Sequence, residues 1–73
     1  MAIEKTLVIS GVGDRAGIGV EFYLDDELVA EIFRNDIEKS RKIVLHKEIG
    51  IEKVEEYISI FKREIPWDFK IDL

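Results

Sequence analysis

The chain has no cysteine, one histidine and one proline, and four of its five glycines crowd into residues 11 to 19. Without cysteine, neither disulfides nor a thiolate zinc centre can brace the fold. A chain of 73 residues is long enough for one domain with one small core, and such a chain buries only about 60% of the surface its extended form exposes. Stability therefore has to come from dense packing of Ile, Leu, Val and Phe, or from a partner subunit. No apolar run reaches the roughly 20 residues a membrane-spanning helix needs. The N-terminus also lacks the basic, apolar and small-residue order of a secretory signal. The expectation is a cytoplasmic domain, residues 1–73, with no membrane partner.

What is present is charge, unevenly placed. The net charge is −5, and 37% of residues are charged against 47% hydrophobic, a balance suited to a folded, solvated domain. Through Asp36 the chain carries eight acids and three bases; from Ile37 onward eight bases balance eight acids. An acidic half repels phosphate backbones, which disfavours a general nucleic-acid binder and permits a basic protein partner, the alternative being ordinary solubilising charge. Lys39, Arg41, Lys42 and Lys47 against Glu38 give residues 38–47 a local charge of +3.

Hydrophobic periodicity divides the chain into four strands and a helix. Ile3, Leu7 and Ile9 share one parity in a first strand over 3–10, interrupted by Lys5, which an edge position tolerates. Ile18, Val20, Phe22 and Leu24 alternate with Gly19, Glu21, Tyr23 and Asp25, the cleanest half-buried strand pattern in the chain. "DDEL" supplies turn acids before "LVAEIF", a third strand with Leu28, Ala30 and Ile32 on one face and Val29 and Phe33 on the other. Asn35 and Asp36 are turn formers, and "IVLH", residues 43–46, is a short last strand.

Ile51, Val54, Ile58, Phe61 and Ile65 then recur at spacings of three and four, with Tyr57 bordering the stripe. This is the signature of an amphipathic helix. Gly50 serves as its N-cap, Ile49 and Val54 as a hydrophobic staple, and Pro66 stops it. One helix and several strands, each with an apolar face, are satisfied together by a two-layer α+β domain. The expected architecture is a four-stranded, mainly antiparallel sheet packed by one C-terminal helix, β-β-β-β-α. Trp67, Phe69, Ile71 and Leu73 alternate with polar residues and offer a short extra strand, a cover for the helix, or a contact with another chain.

"GVGDRAGIG" is the nearest approach to a chemical motif. A Walker A loop requires a Lys and a hydroxyl after its last glycine, and neither follows Gly17. A dinucleotide fingerprint requires a third glycine at the sixth position and a helix after it; here the next glycine is one place late and a strand follows. The segment reads as a connection between strands, with Asp14 and Arg15 at its tip.

Other chemistry is equally sparse. His46 has no companion ligand, Asp25, Asp26 and Glu27 lack the calcium-loop spacing, and Ser10, Ser40, Ser59 and Thr6 have no base placed by the sequence. No catalytic residue, metal or cofactor is assigned. The function expected is a small acidic protein-interaction domain, a dimeric accessory or inhibitor-like protein without catalytic activity. Tyr23, Val29, Phe33, Trp67 and Phe69, with Asp14 and Arg15, are its candidate contact residues. The competing expectations are a nucleic-acid module using the basic 39–47 region and a small metal-dependent enzyme.

Overall fold

The computed structural model describes residues 3–10 and 17–69. Four strands, β1 (Glu4–Ser10), β2 (Gly17–Leu24), β3 (Glu27–Asn35) and β4 (Ser40–Leu45), precede one helix, α1 (Ile51–Glu64). The strands pair antiparallel in sequence order, β1-β2-β3-β4, so β1 and β4 are the edges among the described residues. This is the α+β arrangement that the periodicity implies. β3 and β4 run longer than their apolar cores because Arg34 pairs with Arg41 and Asn35 with Ser40. Backbone pairing of that kind leaves no trace in hydropathy.

The two hairpin turns show why each connection is tight. Asp25 and Asp26 both take positive φ, 51° and 65°, as a two-residue hairpin of the twist-matched type requires. The Asp25 carboxylate also accepts the Ile3 N–H at 2.8 Å, and the Asp25 N–H donates to the Ile3 carbonyl at 2.8 Å, which fastens the start of β1 to this turn. Between β3 and β4, the Asn35 side chain accepts the N–H groups of Ile37 and Glu38 at 3.0 and 2.9 Å. Asn35 thus forms the side-chain-closed turn expected of it.

Register assigns the faces of the sheet. Val8, Val20, Ile32 and Ile43 lie in one row, and Thr6, Phe22, Ala30 and Leu45 in the next. The helix lies on this side. Tyr57 stacks on Phe22 with ring centroids 4.1 Å apart, and Val20, Phe22, Val29, Ala30, Ile32, Tyr57, Phe61 and Ile65 form the buried core.

Two expectations about the core are corrected. Val29 does not share the outward face with Phe33: the β2–β3 register shifts beside Phe22, and Val29 is buried at 3% exposure within the core. A bulge places two consecutive residues against one, so strict alternation fails there. The helical stripe is also rotated from its sequence reading. Tyr57, rather than Ile58, faces the sheet, leaving Ile58 at 37% and Ile51 at 74% exposure.

The helix begins at Gly50, which is extended and provides no side-chain cap, and ends where the Ile65 N–H donates to the Phe61 carbonyl. Glu52 in the first turn and Lys62 and Arg63 in the last complement the helix dipole. The chain then returns to the sheet. Arg34 donates to the Pro66 carbonyl at 2.6 Å, and Trp67 meets Phe61 edge-on at 6.4 Å. Residues 66–69 are not a strand, so the tail covers the helix end instead; Ile71 and Leu73 lie outside the described residues.

Candidate interaction surface

The sheet has a second face, which the helix does not touch. By strand alternation it carries Lys5, Leu7 and Ile9 from β1, Gly19, Glu21 and Tyr23 from β2, Glu31 and Phe33 from β3, and Lys42 and Val44 from β4. Gly19 is paired with both Ile9 and Phe33. A Cβ at Gly19 would lie 2.7 Å from the Ile32 carbonyl oxygen and 3.0 Å from the Phe33 Cβ. Only glycine lets the neighbouring strand and Phe33 come so close.

At the centre of this face two carboxylates stand directly opposite each other, Glu21 on β2 and Glu31 on β3. Like charges so placed repel, and each has a neighbour that relieves it. Tyr23 donates its hydroxyl to Glu21 at 3.0 Å, and His46 lies 2.8 Å from Glu31 through Nε2. The Tyr23 phenol is held above its ordinary pKa, first by that hydrogen bond to Glu21, then by burial and the charges of Glu21 and Glu31. Leu7 and Val44 flank the carboxylate pair in the same cross-strand row. The surface is an apolar frame around a negative centre.

The other candidate residues fall elsewhere. Trp67 and Phe69 sit at the far end of the helix side, where the Arg41 guanidinium lies 4.0 Å from the Trp67 ring centroid and 4.2 Å from that of Phe69. Arg41 also donates twice to the Trp67 carbonyl, at 3.0 and 2.8 Å. Tyr23 and Phe33 are thus on the face away from the helix and Trp67 and Phe69 are not, so the aromatics expected to act together belong to two surfaces. Asp14 and Arg15 lie outside the described residues.

The basic run 39–47 is largely turned onto its own chain. Arg41 is stacked, Lys42 pairs with Glu38 at 3.3 Å and Lys47 with Glu27 at 2.9 Å. Among the described residues no three His, Cys, Asp or Glu side chains gather where a metal ion could be held. A cleft bordered by β1, β2 and α1, between Glu4, Thr6, Tyr57 and Ile60, has a volume of about 70 Å³. Small-molecule sites run to roughly 300 Å³ and more. The cleft has room for a few waters.

Glu21, Glu31 and Arg34 were not legible as special residues. Their parity was readable, but the opposition of Glu21 and Glu31 depends on the β2–β3 register, and Arg34 takes its role from Pro66, 32 residues away. No family model matches this chain, and neither curated proteins nor solved structures provide a match.

Proposed function

We propose that this chain is a non-catalytic protein-interaction domain, accessory or inhibitor-like, that receives a basic segment of a partner protein on its helix-free sheet face. The observation that carries this reading is the opposed pair Glu21 and Glu31 framed by Leu7, Phe33 and Val44. Glu31 is largely buried and contacts His46. An arginine or lysine side chain of the partner therefore docks chiefly on the half-buried Glu21, drawn by the negative charge of both residues. Apolar groups on either side of that cation then bury the frame. Interfaces commonly combine a few central anchors, arginine among them, with surrounding contacts that exclude water, and guanidinium groups suit carboxylates geometrically.

A random-peptide display selection against the intact chain tests this. Selected peptides are expected to share a basic residue flanked by apolar ones. In NMR titrations they should shift the amides of Leu7, Glu21, Glu31, Phe33 and Val44. Binding should weaken at least tenfold in Glu21→Gln/Glu31→Gln, which keeps the shape of the face and removes its charge. Peptides that bind the double variant equally well, or that map to the Trp67 end, reject the proposal.

A further inference from the structure

His46 is the single histidine, and the fold sets it against the buried member of the carboxylate pair. Its backbone N–H donates to the Val29 carbonyl at 2.9 Å, which carries the contact between β3 and β4 one residue past Leu45. By strand alternation its side chain falls on the helix-free face with Lys42 and Val44. Val44 stands opposite Glu31, so His46 meets that carboxylate from the next row, with Nε2 2.8 Å from Oε2.

The two ring nitrogens have different tasks. A carboxylate only accepts, so Nε2 carries the hydrogen of this contact and Nδ1 is the basic site of the neutral ring. Among the described residues no hydrogen bond reaches Nδ1. The imidazole is 39% exposed, against 10% for the Glu31 side chain. Water therefore delivers and removes a proton at Nδ1 while the Nε2 contact stays in place. Imidazole is the side chain whose ordinary titration falls between about pH 5 and 8.

We propose, resting on the reading of this face as the receiver of a basic segment, that His46 is its pH control. Neutral, His46 leaves the charge of Glu31 to act beside that of Glu21. Protonated, it cancels the Glu31 charge and leaves Glu21 alone to hold the partner's cation. Affinity is full above the imidazole range and falls as pH drops through it. By reciprocity, a bound arginine or lysine opposes protonation of His46 to the same extent.

Among the described residues, the other groups around His46 keep their charge in that range. Glu31 on β3, Glu21 on β2 and Glu48 two residues on are carboxylates, which ordinarily titrate near pH 4. Lys5 of β1 and Lys42 of β4 share the face, and Lys47 follows His46; lysines ordinarily titrate above pH 10. Lys42 and Lys47 are further held by Glu38 and Glu27. Tyr23 keeps its proton, since its hydrogen bond to Glu21 raises its pKa. The helix lies on the other side of the sheet. Opposed side chains on neighbouring strands are about 5 Å apart, so cancelling Glu31 should cost a cation on Glu21 about three- to tenfold in affinity at low salt.

Histidine-free basic peptides selected on the intact chain, titrated at low salt at about pH 5.5 and 7.5, test this. The wild type should bind them about three- to tenfold more weakly at the lower pH. His46→Gln, whose amide keeps a donor for Glu31, should bind with the same affinity at both. The free chain gives a second reading by NMR: the Glu21 carboxyl carbon should shift in step with the His46 ring, and the step should vanish in His46→Gln. Equal wild-type affinity at both pH values, or a parallel loss in His46→Gln, overturns the pH control and leaves the basic-segment reading standing. A Glu21 carboxyl that does not register the His46 titration overturns the control with no partner involved. Peptides that fail to map to this face sink the basic-segment reading and the control with it.

Discussion

Arg34 is the side chain whose removal should reveal most about how the tail is held. Its guanidinium is 8% exposed and meets the Asp36 carboxylate, itself 18% exposed, at 2.8 Å, with a second contact at 3.2 Å. The remaining terminal nitrogen donates to the Pro66 carbonyl at 2.6 Å. Removing one partner of a fully buried ion pair costs about 3–5 kcal/mol, and an exposed pair under about 1 kcal/mol. The modest exposure of Asp36 places this pair between those limits. Stranding the Pro66 carbonyl adds about 1 kcal/mol. Arg34→Met, which keeps most of the aliphatic stem packed, should therefore lose about 2–4 kcal/mol.

A domain of this length has roughly 4–11 kcal/mol in all, so the variant should fold but melt at clearly lower urea. Urea titration followed by circular dichroism and by Trp67 fluorescence reads the loss. In the native baseline, Trp67 emission should also move to longer wavelength, because Pro66 no longer ties the tail to β3. A double-mutant cycle with Asp36→Asn separates the ion pair from the Pro66 contact. An Arg34→Met loss under about 0.5 kcal/mol, with Trp67 emission unchanged, would refute the reasoning.

Asp26→Gly should stabilise the fold by about 0.5 kcal/mol in the same urea titration, since φ of 65° strains a side chain and suits glycine in this turn. Gly17→Ala should be severely destabilising, by about 3 kcal/mol or more, because φ is +155° and the added Cβ would collide with the Arg34 carbonyl oxygen; circular dichroism should show largely unfolded protein. Tyr23 and Tyr57 both have raised pKa values, Tyr23 first through its hydrogen bond to Glu21 and Tyr57 first through burial. Ultraviolet titration should thus show phenolate appearing above the ordinary value of about 10, with Glu21→Gln lowering the Tyr23 midpoint alone. Because folded tyrosine keeps its proton where the unfolded chain releases it, the stability linked to both groups is complete below about pH 10 and falls as pH rises through their folded values. Arg41→Ala should increase acrylamide quenching of Trp67, the single tryptophan, by about twofold if stacking of order 1 kcal/mol holds the ring down.

Much of the fold was legible because its signals are local. Alternation over 18–24 and the three-and-four spacing over 51–65 each require only neighbouring residues, and a sheet and a helix with apolar faces have few ways to cover one another. The Asp25–Asp26 turn and the stop at Pro66 were visible for the same reason. Tyr23 and Phe33 could be placed outward from parity alone. Val29 could not, because one bulge reverses the parity of a strand without any marker in composition. Nor could parity show that Tyr57 would take the central place over Phe22, since a helix of this pattern can roll by part of a turn and still bury apolar surface.

The sequence by itself determined the number and kind of elements, their order, the acidic balance and the lack of any phosphate-loop or nucleophile motif. Those follow from periodicity, charge and the stereochemistry of single residues. Only the tertiary structure decided which charges meet and which apolar groups stay uncovered. The opposition of Glu21 and Glu31, the anchoring of Pro66 by Arg34 and the exposure of Ile43, Leu45, Ile51 and Ile58 all depend on register and on the roll of the helix. Both are fixed by the packing of the whole core, a sum over contacts distant in sequence that no local pattern contains.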